Sequence, residues 1–468
     1  MNHRSALITL GLLLTLGAGC SSRTGTSGPL PDTKQSLSRV VRPANGSPAG
    51  VLTHIIFIIQ ENRSTDNLFN GFCASTNHNS NTCAATVTVD PYTGKHLKVE
   101  SMAAPFGAFH DHSVFVNQYD NGKMDGFSNW PALCESNPTP CLYSIMGYVP
   151  SSETQIYQQL ATVDGELADE NFSPASAPSV PNHLYMIAGE SGGYDSDHWA
   201  IASGVGGNCG VTQKVETQLL MTTAFPGQNG NPSPPCKDFP TIFDLLHTAG
   251  KSWTYYSNDN AGFWSPTQMI QHLYNSPNFV VPSTQILTDI SKGKLTDVAF
   301  VSPYSPSVSD HPGNTTDPKA GQTWVASIVN AIGQSAYWNN TAVIVTWDEW
   351  GGLYDHVKPP LTGHNPSWMG NPDPMEYSFR VPLVVASAYA RLHRVDHQVR
   401  SFVSVLKLIE ETFSLPSLGT LDQYEPGLDN MFDFTAKPRP YVPLGGSDAQ
   451  PSIYLRSHHA TGSLKNDD

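Results

Sequence analysis

Basic residues are scarce in this chain. Lys and Arg number 25 among 468 residues, against 40 Asp and Glu, for a formal net charge of −15. That balance excludes nucleic acid, and equally an anionic lipid surface, as a partner recruited by its own negative charge. Charged residues of both signs make up only 14% of the chain, too few for a coiled coil or a long helical array. No apolar run reaches the roughly 18 residues of a membrane-spanning helix. None of the seven cysteines has CxxC spacing, which argues against zinc and for disulfides made in an oxidising compartment. There is no internal repeat.

What the chain has instead is 39% hydrophobic and 10% aromatic residues, enough for a sizeable core, with 38 Gly and 37 Pro that imply long loops. Length alone suggests about three domains. At the N-terminus His3 and Arg4 precede an apolar run over residues 6–16, followed by Gly17, Ala18, Gly19 and Cys20. The run is too short to span a bilayer and reads as a cleaved signal over residues 1–19. Its end resembles a bacterial lipobox, with Gly17 where a Leu is usual; lipid on Cys20 is expected, and ordinary signal cleavage is the alternative. Either way export by a bacterium is expected, to the periplasm or as a cell-surface (outer-membrane) lipoprotein, with membrane contact only through the lipid on Cys20 if it is lipidated. Six cysteines remain, in neighbouring pairs 10, 7 and 27 residues apart: Cys73 with Cys83, Cys134 with Cys141, Cys209 with Cys236. Pairing between neighbours is expected.

Residues 20–50 are rich in Ser, Gly, Thr and Pro and read as a flexible tether. From Val51 the pattern changes. VLTHIIFIIQ is a continuous β-branched run, the signature of a strand buried on both faces of a parallel sheet. Similar runs recur at 252–257, 297–302, 341–347 and 381–387. Helical patterns lie between them, before Gly250, over 324–332 and over 402–413 with Ser401 as its expected cap. Strands alternating with helices predict an α/β fold, a three-layer sandwich with a mostly parallel central sheet. Residues 70–180 lack the alternation and read as excursions above the sheet. One catalytic domain over 51–440 is expected, with a polar, poorly ordered tail over 441–468.

Ligands of open parallel sheets bind beyond the carboxyl ends of the strands. Two strands here end in acids: the first runs into Glu61, Asn62, Arg63, Ser64, Thr65 and Asp66, the strand at 341–347 into Asp348, Glu349, Trp350, Gly351 and Gly352. Oxygen donors from Glu61, Asn62, Asp348 and Glu349 suit a divalent cation, which would relieve the repulsion of gathered carboxylates. Polar strand-to-loop turns account for either cluster alone. His112, His311 and His356 stand in polar loops, and His356 follows Glu349 by seven residues across two glycines; such histidines steady phosphoryl oxygens or protonate a leaving group. In SVPNH, Pro181 starts a helix and puts Ser179 at its N-terminus, where it either caps the helix or acts as a nucleophile.

The segments ENRSTDNLF, HDHSVFVNQYDNGKMDGF, SVPNH, SDHPG, TWDEWGGLYDHVKPP, RVPLVVAS and VLKLIEETFSLPSLGTLD, in that order over residues 51–436, resemble the bacterial phosphoesterase family of acid phosphatases and phospholipases C. The resemblance implies an alkaline-phosphatase-like core and a divalent metal, of unspecified identity, on Glu61, Asn62, Asp348 and Glu349. It implies Ser179 as nucleophile and His112, His311 and His356 at the phosphoryl group or leaving oxygen, with His110 standing in if the second motif slips by two. The chain departs from the pattern at Thr65, at His183, where Arg is frequent, and at Glu349, where Asp is usual. It ends soon after FDF (432–434), without the further domains of the family's phospholipases, which favours phosphomonoesters over phospholipid head groups as substrates. The expectation is therefore a metal-dependent acid phosphatase, with a phospholipase C-type phosphodiesterase as alternative. A sulfatase is disfavoured because no C-x-P-x-R sequence is present, and a surface lipoprotein that binds without turnover is the remaining contrast.

Overall fold

A computed structural model describes residues 46–72, 86–134, 141–194, 207–210, 236–259, 262–360 and 377–458. The expected signal peptide, Cys20, almost all of the tether and the Cys73/Cys83 pair lie outside these residues. The core is one eight-stranded sheet. In chain order its strands are β1 (His54–Gln60), β2 (Gly165–Ala168), β3 (Trp253–Tyr256), β4 (Phe279–Val280), β5 (Val298–Val301), β6 (Thr341–Trp347), β7 (Leu383–Ser387) and β8 (Val395–Asp396). They lie side by side in the order β8-β2-β7-β6-β1-β5-β3-β4.

β1 is central because the side chains between its polar ends have no need of water. Ile55 to Ile59 are fully buried, pairing in parallel with β5 on one side and β6 on the other. A fully buried side chain of this size contributes about 1.5–3 kcal/mol, so a polar residue here would be disfavoured on either face. Phe57, Phe300 and Tyr255 continue the packing across three adjacent strands through ring contacts at 5.4 and 5.8 Å. Helices pack in two groups, one joining α3 (Ser179–Ala188) to α4 (Ile242–Thr248) and α7 (Ser404–Phe413). The other joins α6 (Ala320–Gly333) to α5 (Gln285–Ser291) and α8 (Pro451–Ser457). Among the described residues no helix is long and apolar enough to cross a membrane.

The sheet differs from expectation in two strands. The run at 381–387 reads like its neighbours, yet β7 pairs antiparallel with both β6 and β2; burial on both faces gives an apolar run whatever the direction. β2 falls inside the stretch read as an excursion. Its GELA sequence carries a charge into the sheet, where Glu166 is buried and reaches Arg394 at 3.3 Å. Burial pushes the Glu166 carboxyl up to about 8. Ser401 is no helix cap, because α7 begins at Ser404 and Ser401 sits in a two-residue strand beside Phe172.

The expected loose tail is corrected as well. Residues 441–457 strap α6: Asn330 Nδ2 donates to the carbonyls of Leu444 and Ala449 at 3.0 and 2.9 Å, and Tyr441 donates to Asn330 Oδ1 at 2.7 Å. Leu444, Ala449 and Tyr454 are buried. A few apolar side chains at the right places anchor a segment whose average composition is polar. The excursion above the sheet has an apolar cluster of its own, with Phe106, Phe115, Phe127, Trp350, Tyr354 and Phe379. Cys134–Cys141 and Cys209–Cys236 are disulfides between neighbours in the sequence.

Candidate active site

The register of the two central strands brings the acid clusters together. Gln60 of β1 stands opposite Trp347 of β6, so the residues that follow, Glu61 and Asp348, emerge side by side. Asp348 N–H donates to the Gln60 carbonyl at 3.0 Å, and Asn62 N–H donates to Asp348 Oδ1 at 2.8 Å. Asn62 takes a left-handed backbone, φ 58°, which Asn tolerates better than most residues. The paired glycines then let the chain turn back over this junction. A Cβ on Gly351 would stand 2.2 Å from the Asn62 carbonyl oxygen, and Gly351 N–H donates to Glu349 Oε2 at 2.8 Å.

Ser179 arrives from the other direction, as the first residue of α3. Pro178 occupies the N-cap position and no side chain caps the helix. The hydroxyl instead donates to Asn62 Oδ1 at 3.4 Å, so capping does not explain this serine. Asn182 holds the approach to it: its side-chain nitrogen donates to the carbonyls of Ala177 and Pro178 at 2.7 and 3.0 Å, and its oxygen accepts from Ser173 Oγ at 2.7 Å. One turn beyond Ser179, on the same helix face, His183 Nε2 lies 3.2 Å from Glu61 Oε1 and 3.7 Å from Asp348 Oδ2.

The histidines divide. His110 Nδ1 donates to the Ala108 carbonyl at 2.8 Å, so in the neutral ring Nε2 is the acceptor, facing the Asn62 amide at 3.1 Å. That nitrogen is 3.9 Å from Glu349 Oε1. Of the two histidines in the second motif it is therefore His110 that reaches the strand-end junction. His112 opens helix α2 (His112–Tyr119) and donates to the Ser176 carbonyl at 2.7 Å, three residues before Ser179. Burial lowers its pKa, against the opposing Ser176 bond, and its Nε2 accepts or donates no hydrogen bond among the described residues. His311 Nδ1 donates to the Pro312 carbonyl at 2.8 Å, and its ring lies 6.0 Å from that of His110. Arg63 ties this loop to the first motif, donating from Nε to the Asp310 carbonyl at 2.7 Å; burial lowers its pKa to about 10, so it stays charged at neutral pH.

His356 is held elsewhere, in a buried ion-pair cluster, and touches neither Ser179 nor the strand-end acids among the described residues. Its Nδ1 lies 2.6 Å from Asp66 Oδ2. Arg380 donates to Asp66 Oδ1 at 3.0 Å and to Asp355 Oδ1 at 2.9 Å. Burial lowers the His356 pKa, but the hydrogen bond and charge of Asp66 outweigh it and hold the ring above the usual value. For Asp66, burial is outweighed by Arg380 and His356, and its pKa falls. Asp66, Asp355 and His356 offer ligand atoms within 4.8 Å of one another, yet the Arg380 guanidinium already supplies their cation.

Glu61, His183 and Asp348 form the other such group, all three buried, with ligand atoms within 4.8 Å of one another. Asp348 Oδ2 accepts no hydrogen bond among the described residues. Two carboxylates in a dry junction, one oxygen bare, fit a divalent cation. Sequence reasoning passed over His183 as a mere departure from a pattern; its spacing of four from Ser179 on a helix was the available signal.

The Phosphoesterase family model matches residues 52–416. "Non-specific phospholipase C1" of Arabidopsis thaliana is 26% identical over 390 residues, which cover 75% of this chain and 63% of that protein. "Phospholipase C B" of Mycobacterium tuberculosis is 25% identical over 449 residues, 84% of this chain and 80% of that one. The chain thus spans under two thirds of the plant relative's length. A solved structure from Vibrio parahaemolyticus, of the alkaline phosphatase superfamily, aligns over 82% of this chain and 72% of its own at 12% identity, with a TM-score of 0.35, too loose to bear on the site.

Proposed function

The chain belongs to the phosphoesterase family, and from that premise we propose that it is a phospholipase C-type phosphodiesterase with Ser179 as its nucleophile. The observation that carries this is the placement of the Ser179 hydroxyl, at the N-terminus of α3, on Asn62 at the junction of the two strand-end acid clusters. The preference for phosphomonoesters drawn from the chain's C-terminal end yields to the relatives, both named as phospholipases C.

Glu61, Asn62, Asp348 and Glu349 would hold a divalent cation, which when bound polarises phosphoryl oxygens and lowers the pKa of a nearby hydroxyl. Asn62 Oδ1 accepts the Ser179 hydrogen bond and so points a lone pair of Oγ outward, while His110 fixes the Asn62 amide from behind. Ser179 Oγ gives up its proton to water and attacks phosphorus in line. The bond to the glycerol oxygen breaks, and the head-group phosphate is left esterified to Ser179. The first N–H groups of α3 face that phosphate with the helix dipole behind them. His311 is assigned to protonate the departing alkoxide, while His356 stays with Asp66 and Arg380, away from the serine. His112, through Ser176, steadies the loop that presents Ser179. Water then cleaves the seryl ester and frees the serine. Local positive potential from cation and helix end accommodates an anionic substrate on a chain of net charge −15. Export and a lipid on Cys20 belong to the same reading, which places the enzyme at a membrane surface.

The test is hydrolysis of phosphatidylcholine and of para-nitrophenyl phosphate by the full chain, side by side, with chelator and with metal restored. Faster release of phosphocholine than of nitrophenol, lost in chelator, is expected. Turnover confined to the monoester would overturn the phosphodiesterase reading, and full activity in chelator would overturn the cation's part in it.

A further inference from the structure

We propose that His183 is itself a ligand of the cation at the strand-end junction, and that its nitrogen makes the site prefer a borderline divalent ion such as zinc over magnesium or calcium. This rests on the reading of Glu61 and Asp348 as cation ligands. His183 is fully buried on a helix that is buried along its whole length, so its ring is fixed by packing and cannot swing to solvent. Its Nε2 stands 3.2 Å from Glu61 Oε1 and 3.7 Å from Asp348 Oδ2. Donor atoms sharing one cation at about 2.1 Å are roughly 3 to 3.5 Å apart, so these separations match a common centre to within a few tenths of an ångström. Asp348 Oδ2, the third corner, is buried without a hydrogen bond among the described residues.

The chemistry of the set then decides which ion. Magnesium and calcium take oxygen ligands almost exclusively, whereas imidazole suits zinc and its first-row neighbours. With Glu61, Asp348 and Glu349 at the junction the carboxylates already supply more than enough negative charge for one dication, and a neutral imidazole adds a ligand without adding to it. Ser179 lies one helical turn from His183, so the ligand and the nucleophile are carried on one rigid element and their spacing is set by α3.

The proposal is tested on metal binding, apart from activity. The full-length protein is dialysed against equal concentrations of zinc, magnesium and calcium, its metal content measured, and the zinc-loaded protein examined by X-ray absorption. One equivalent of zinc is expected, with imidazole scattering in the first shell. His183→Gln should hold zinc more weakly by at least about tenfold, the lower end of what even an outer-shell partner contributes, with its zinc-over-magnesium preference reduced. Glu61→Gln separates this claim from the reading beneath it. If Glu61→Gln binds all three ions as the wild type does, there is no cation site here. If Glu61→Gln loses zinc but His183→Gln keeps wild-type affinity and preference, the site stands and the ligand role of His183 is refuted, its ring being an ion-pair partner of the acids. Zinc bound without imidazole scattering in the wild type refutes it too, with no variant required.

Discussion

Replacing Arg380 by Met keeps most of the side-chain volume and removes the charge on which two buried acids depend. Its guanidinium is 3% exposed and donates to Asp66 and Asp355, themselves 4% and 0% exposed. It also donates to the Asp169 carbonyl at 3.1 Å. Breaking a buried pair from one side strands a charge and costs about 3–5 kcal/mol. Here two acids are stranded, with His356 as their remaining ionisable partner among the described residues beside backbone N–H donors, so the loss should reach the upper part of that range. Urea unfolding of the full chain, followed by tryptophan fluorescence, measures it. Because Asp355 is harmful only when unpaired, adding Asp355→Asn to Arg380→Met should restore part of the stability, with a coupling of at least about 1 kcal/mol. A loss under about 1 kcal/mol, the worth of an exposed pair, or strict additivity of the two substitutions, would refute the argument.

Two further outcomes follow from the same geometry. His356 has a folded-state pKa above its unfolded value, so its pairing with Asp66 stabilises fully below about pH 6.5 and the gain fades as pH rises through the folded value; His356→Gln should therefore destabilise more at pH 6 than at pH 9, and a gap that widens with pH contradicts the assignment. Gly351→Ala would drive a Cβ to 2.2 Å from the Asn62 carbonyl, whereas Gly250→Ala, at a similar positive φ, meets nothing within 4 Å among the described residues. Both should lose about 1–2 kcal/mol to the left-handed backbone, but only Gly351→Ala should also lower turnover, by about a hundredfold for an ångström's displacement of Asn62; equal turnover in the two variants would sink the role given to that turn.

Much of the fold was legible because burial on both faces leaves a plain mark. The runs at 54–60, 298–301 and 341–347 became the central strands, and the acids that end two of them met through register alone. Direction left no such mark, so the antiparallel β7 could not be told from its neighbours, and β2 was missed because Glu166 breaks the apolar pattern. In the site, strand ends and helix starts were readable, which is why Glu61, Asn62, Asp348 and Ser179 converge. Loop histidines were not: two residues separate His110 from His112, and only the folded chain decides which one meets Asn62. His356 illustrates the same limit, since its nearness in sequence to Glu349 did not foretell that Asp66 and Arg380 would claim it.

The account stands on Ser179. The turnover of phosphatidylcholine by Ser179→Ala, measured on the folded, metal-loaded full chain, tests it most directly. A fall of at least about a thousandfold is predicted, with no change in metal content. Hydrolysis at the wild-type rate would contradict the claim that this serine attacks phosphorus.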